Sequence, residues 1–126
     1  MWYEVIVQKS LRENELCAEV HVPAESSWFC GHFPGNPVLP GIAQLAMVFE
    51  TIRQSLREDL RVAQVSRVRF KQMILPDDRL SVRVKPKPGR GGLYAFRILK
   101  QEELICNGDM AVEPNNRSNE QLLGER

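Results

Sequence analysis

The stretch GHFPGNPVLPGIAQLAMVFE, Gly31 to Glu50, decides how the rest of the chain is read. Pro34, Pro37 and Pro40 each fix φ and remove a backbone donor, which excludes a central strand or a helix interior. Gly35 and Gly41 permit tight turning and close backbone approach. A stiff, irregular loop therefore carries His32 to the threshold of a helix. From Ile42 to Phe49 only Gln44 is polar, and a helix apolar nearly all round is buried. This helix is expected from about Gly41 to Arg57 or Glu58, roughly 18 residues and ~27 Å long. Ile52 and Leu56 extend the stripe of Ile42, Leu45 and Phe49, while Arg53, Gln54, Arg57 and Glu58 face water. Its beginning should be enclosed and its end should emerge.

Outward from the helix, the chain reads as strands. Tyr3 to Lys9 and Leu16 to Val22 alternate apolar and polar residues on either side of a polar turn at Arg12-Glu13-Asn14. His21 falls on the polar side and reads as a surface histidine. After the helix, Val62 to Phe70 and Leu80 to Lys87 alternate, and Gly89 to Gly92 is a turn cluster. Leu93 to Lys100 and Leu104 to Val112 form a hairpin about Gln101-Glu102, with Gly108 a candidate bulge. Glu113 to Arg126 is polar and aperiodic and reads as a disordered tail. Two strands, one long helix and four strands pack most economically as an α+β domain, residues 1–112, with an antiparallel sheet wrapped around a central helix. Open strand edges and an uncovered helix face imply at least a dimer.

Length and composition bound the function. The 126 residues suffice for one core, and 43% hydrophobic with 26% charged residues is ordinary for a globular domain. MWYEVIVQKS lacks a signal-peptide pattern, and no apolar run approaches the roughly 20 residues that span a bilayer. Cys17, Cys30 and Cys106 are an odd set without CxxC spacing, the pattern of reduced cytoplasmic thiols. Cys30, two residues before His32, has no oriented base at suitable spacing and reads as a small buried thiol. The two histidines, His21 and His32, lie on different elements and form no metal site. Residues 61–100 hold eleven Lys/Arg against Asp77 and Asp78, a local charge of +9, while the remainder, with 6 Lys/Arg and 14 Asp/Glu, carries −8. Arg67, Arg69 and Lys71 share one strand face, as do Arg83, Lys85 and Lys87. An anionic partner fits them, and nucleic acid fits poorly because no aromatics interleave with the charges.

The run His32-Phe33-Pro34-Gly35-x-Pro37-Val38-Leu39-Pro40-Gly41 resembles the signature of the β-hydroxyacyl-acyl-carrier-protein dehydratases of FabA/FabZ type, which have the hot-dog fold. The later FKQMILPDDRL, Phe70 to Leu80, resembles that family's segment after the helix. The likeness in element order covers residues 1 to about 112 and is to a compact member, without the family's N-terminal helical stretch. It implies dehydration of a 3-hydroxyacyl thioester, carried on the phosphopantetheine of an acyl carrier protein or coenzyme A, to a 2-enoyl thioester, with no further cofactor. His32 would act on the C2 proton. Phe33, Pro34, Gly35 and Pro40 would shape the substrate site, and the Gly41 N–H would bind the thioester carbonyl. The physics agrees: a first helical turn offers unpaired donors and a positive dipole end to the oxygen that gains charge as C2 loses its proton. A neutral imidazole is a suitable base at neutral pH.

One position departs from the family. Its Glu or Asp, fourteen residues after the histidine and reached from the other protomer, is here Ala46. An alanine cannot protonate a leaving hydroxyl, and such assistance is worth ~10²–10⁴-fold. The chain therefore takes the acid from a related hot-dog subunit, works by His32 and a water, or binds acyl chains without turnover. Glu50, ~6 Å further along the axis, is the one substitute acid, and a thioesterase on this fold would also depend on it. Gln44 must find a partner, and backbone at the helix start is the expected one.

Overall fold

The computed structural model of the chain describes residues 4–9, 14–25 and 39–115, with Glu4 to Lys9 described by backbone alone. Strands β1 (Glu4–Lys9) and β2 (Leu16–His21) precede helix α1 (Gly41–Leu56), and β3 (Leu60–Phe70), β4 (Arg79–Pro86), β5 (Leu93–Lys100) and β6 (Glu103–Pro114) follow it. The period-two patterns explain the sheet. Leu16, Ala18 and Val20 of β2, Leu80, Val82 and Val84 of β4, and Tyr94, Phe96 and Ile98 of β5 turn inward and are buried. All pairings are antiparallel, in the order β1-β2-β4-β5-β6-β3. The β5–β6 hairpin turns at Gln101 and Glu102, both with positive φ (52° and 66°), the primed geometry that matches strand twist. Helix α1 packs against β1, β2 and β4 through Ala43, Met47, Val48 and Ile52, none of which has exposed surface. One helix against one antiparallel sheet is the expected architecture.

Three expectations need correction. The helix is not enclosed at its beginning: Ile42 is 68% exposed, and Leu45 and Phe49 are only partly buried. The face that packs on the sheet lies to one side of the stripe read from the sequence: the two share Ile52, Leu45 and Phe49 pack at the border of the core, and Ile42 and Leu56 stay exposed. Gly108 faces a bulge and does not form it. Arg67 and Val68 of β3, between the pairs Ser66↔Asp109 and Arg69↔Asn107, oppose the single residue Gly108, with Arg67 at φ 55°. It is also a close approach, since a Cβ there would lie 2.8 Å from Phe96 Cζ and 3.1 Å from Val68 Cα. Finally, β6 runs to Pro114, because Leu60 and Arg61 at the start of β3 pair with Pro114 and Glu113. The tail beyond residue 115 lies outside the described residues.

Candidate functional site

The site is built around the start of α1. Pro40 is the N-cap, at φ −63° and ψ 152°, with no side-chain cap. Its carbonyl accepts the N–H groups of Ala43 (3.1 Å) and Gln44 (3.3 Å). No acceptor among the described residues takes the N–H of Gly41 or Ile42, and no acid lies in the first turn. Two donors at a positive helix end are thus left for an oxygen bearing negative charge. The Phe70 ring lies directly over Gly41: a Cβ there would come within 2.8 Å of Phe70 Cζ. Gly41 is therefore needed for close approach, and the aromatic ring shields one side of the amides. Leu39, just before the cap, donates its N–H to the Ile74 carbonyl at 2.9 Å, which ties the helix start to the segment joining β3 and β4. Around this point Ile42, Phe70, Met73 and Leu75 are 68%, 51%, 61% and 41% exposed, a concentration of apolar surface that marks a place of interaction.

Ala46 lies partly buried on the flank of α1 that does not face the sheet. Glu50 follows one turn later, and its carboxylate is gripped by the Arg53 guanidinium and by Gln54 Nε2 at 3.2 Å. The hydrogen bond from Arg53 holds this carboxyl below the ordinary value of 4.5; partial burial opposes the shift, and the Gln54 hydrogen bond and the Arg53 charge add to it. Both carboxylate oxygens of Glu50 are thus engaged by neighbours on the same helix. Gln44 is 3% exposed, and its Oε1 has no hydrogen-bond donor among the described residues. An unsatisfied buried amide oxygen costs about 1–3 kcal/mol, which marks this spot as polar on an otherwise apolar face. His32, Phe33, Pro34 and Gly35, and also Cys30, lie outside the described residues. Cys106 is no nucleophile: burial pushes its thiol up to about 11.

A second feature lies on the outer face of the sheet. Arg83, Arg97, Asn107 and Arg69 stand in register on β4, β5, β6 and β3. Arg67, Arg69, Lys87 and Arg97 border a depression of about 660 Å³ whose floor includes Ala95 and Gly108. Asp109 within it pairs with Lys87 at 3.1 Å, and Arg97 with Glu15 at 3.2 Å. Like charges directly opposite one another oppose sheet formation, so the row is held at a cost to the fold. Sequence reading found these basic faces but not their alignment across strands, which depends on register. It also missed the Phe70–Gly41 contact and the pairing of His21, whose Nε2 donates to Asp77 Oδ1 at 3.2 Å.

Comparison with known proteins gives the family and the fold. The sequence model of the ApeI-like family, described as ApeI dehydratase, matches residues 8–109. The 3-hydroxyacyl-[acyl-carrier-protein] dehydratase FabZ of Polynucleobacter necessarius is 29% identical over 117 residues, covering 87% of this chain and 75% of the relative. FabZ of Histophilus somni is 33% identical over 106 residues, 78% of this chain and 68% of the relative. Among solved structures, "The Dehydratase Heterocomplex ApeI:P from Xenorhabdus doucetiae" superposes with a TM-score of 0.73 at 22% identity, covering 86% of this chain and 97% of that one. An uncharacterized protein from Erwinia carotovora gives 0.70 at 25% identity, over 90% and 98%. The fold is the hot-dog fold.

Proposed function

The chain belongs to the ApeI-like family of dehydratases, and from that premise we propose that it forms half of a composite site that removes water from a 3-hydroxyacyl thioester. His32 takes the C2 proton, and the enolate-like oxygen is held by the Gly41 and Ile42 amides under Phe70. The C3–O bond then breaks, and the hydroxyl leaves as water once it receives a proton. The observation that carries this reading is the pair of uncapped amides at Gly41 and Ile42, with only a methyl group at Ala46 one turn along. Donors aimed at developing charge are typically the largest catalytic contribution, whereas the missing acid makes the site incomplete. We assign the acid to a related, non-identical subunit seated on the uncovered flank of α1. The fold neighbour from Xenorhabdus doucetiae, described as a dehydratase heterocomplex, supports that assignment.

The substrate arrives on an acyl carrier protein, and the basic row on the outer face is where we place the docking of its acidic surface. Arg69, at the β3 end of that row, immediately precedes Phe70, so the docking face borders the Gly41 site at the sheet edge. No cofactor is needed beyond the arm that carries the acyl group. Free thiols at Cys17 and Cys106 accord with work in the reducing cytoplasm.

The test is incubation of the purified chain with a 3-hydroxyacyl carrier-protein thioester, alone and with a candidate hot-dog partner that has the helix acid. Enoyl thioester formed with the partner and lost in His32→Ala supports the reading. No enoyl product in either case sinks it, and unchanged acyl binding in His32→Ala would then identify a non-catalytic acyl-binding subunit. Release of free thiol, abolished in Glu50→Ala, would instead identify a thioesterase.

A further inference from the structure

We propose that the arginines of β3 select the partner that covers this strand: they hold off a second copy of the chain and admit the edge strand of a related subunit that presents carboxylates on the outer side of the sheet. The related subunit is that of the composite-site reading, on which the proposal rests for its partner; the charge argument is independent of catalysis.

β3 is the last strand of the sheet, and among the described residues no strand pairs with its free edge. Its two faces differ. Val62, Val65 and Phe70 stand opposite the buried Val112, Met110 and Cys106 of β6, so they belong to the inner face. Helix α1 lies over β1, β2 and β4, and Val62 and Phe70 are left 41% and 51% exposed. Arg61 and Arg69 stand opposite Glu113 and Asn107 on the outer face, and Arg67 protrudes at the bulge with its side chain 82% exposed. A strand added here extends the backbone ladder and brings apolar residues to the inner face.

Charge decides whose strand fits. β3 contains Arg61, Arg67 and Arg69 and no carboxylate. Arg61 is matched by Glu113 at 2.9 Å. Arg67 lies 4.0 Å from Asp109, which Lys87 already holds at 3.1 Å. Arg69 has no acidic partner among the described residues. A two-fold pairing of β3 with itself is isologous, so each strand meets its own sequence reversed. In every register the arginines then meet arginines or uncharged residues, and like charges across a ladder oppose pairing. Charged side chains commonly keep edge strands from joining. Here the exclusion has one sign, and an opposing strand with Asp or Glu on its outer face turns it into attraction.

Sedimentation of the purified chain tests this with the chain itself as probe and no substrate or carrier protein present. The variant Arg67→Glu/Arg69→Glu stands in for the acidic strand: the backbone ladder and the apolar face are kept and the sign is reversed. Mixed in equal amounts with the parent in low salt, it should associate about tenfold more tightly than the parent does with itself, an advantage that shrinks in high salt. Arg67→Gln/Arg69→Gln should self-associate about threefold more tightly than the parent, and this neutral variant decides the matter if the acidic one does not fold. No gain on mixing, or a parent that self-associates as tightly as the neutral variant, overturns the selection. Either result leaves the dehydratase reading standing, since no turnover is measured. A related subunit that pairs with the chain through β3 yet yields no enoyl product refutes that reading and leaves the selection intact.

Discussion

Replacing Ala46 by glutamate should convert the chain into a self-sufficient dehydratase. Ala46 is only partly buried, on the flank of α1 turned away from the sheet, and glutamate is a good helix former. The like-charged Glu50 at i+4 costs about 0.2–0.5 kcal/mol, and Arg53, already bound to Glu50, softens that repulsion. The same neighbouring carboxylate disfavours ionisation of the new group, as would its burial beneath a second subunit, so it tends to keep the proton it must deliver. General-acid assistance predicts a gain of ~10²–10⁴-fold in enoyl formation. The assay compares parent, Ala46→Glu and Ala46→Gln on a 3-hydroxyacyl carrier-protein thioester, with product resolved by mass spectrometry and thermal midpoints measured in parallel. Glutamine matches the shape but has no proton to give. A folded Ala46→Glu with no gain, or an equal gain from Ala46→Gln, refutes the reasoning.

Further outcomes follow from the same geometry. Gly108→Ala puts a methyl group 2.8 Å from Phe96 Cζ and 3.1 Å from the Val68 backbone; overpacking of this kind should cost about 1–3 kcal/mol in a urea titration, and a neutral result would show that β3 shifts freely. Glu50→Gln tests the Arg53 pair through pH. Because the folded carboxyl lies below 4.5, its contribution is complete above that value and is lost as pH falls through the folded pKa. The parent should exceed Glu50→Gln by about 0.2–1 kcal/mol at neutral pH, with the gap closing below pH 4.5. A gap that persists at lower pH contradicts the assignment. Reversing the outer row with Arg69→Glu and Arg97→Glu should raise KM for carrier-borne substrate and flatten its salt dependence, with kcat preserved. Equal KM at low salt would remove this face as the docking surface.

The strands were legible because alternation is a local property. Val82, Val84, Tyr94 and Phe96 must face one way whatever they pack against. The helix was legible in extent, ending at Leu56 against an expected Arg57 or Glu58, but not in orientation. Its residues are apolar on both flanks, so periodicity could not say which flank meets the sheet. Gly108 was legible as special but not as to why: the bulge is on β3 opposite it, and the approach of Phe96 and of the Val68 backbone depends on strand pairing that the sequence does not print. The orphaned amides at Gly41 follow from proline at the cap and were foreseeable. The Phe70 ring above them was not, because residues 41 and 70 are brought together by the path of β3. The grip of Asp77 on His21 and Ala24 likewise joins positions more than fifty residues apart.

The uncovered flank of α1 and the missing acid have one common resolution. Ile42, Phe70, Met73 and Leu75 remain between 41% and 68% exposed, and covering the exposed half of four such side chains is worth about 3–6 kcal/mol in all. That sum is a large fraction of the stability of a typical domain. A surface of this kind beside an open eleven-residue edge strand, β3, with Val62 also 41% exposed, calls for a cover. A second identical chain could supply the apolar contact, but it would bring a second Ala46 to the seam and no proton donor. A related chain with a carboxylic acid at that helix position satisfies both the packing and the chemistry at once. In such a pair only one of the two symmetry-related sites has the acid opposite this chain's His32 and Gly41. The other, facing Ala46, lacks it. The pair should therefore turn over at one site, so active-site titration with a mechanism-based thioester should saturate at one equivalent per heterodimer.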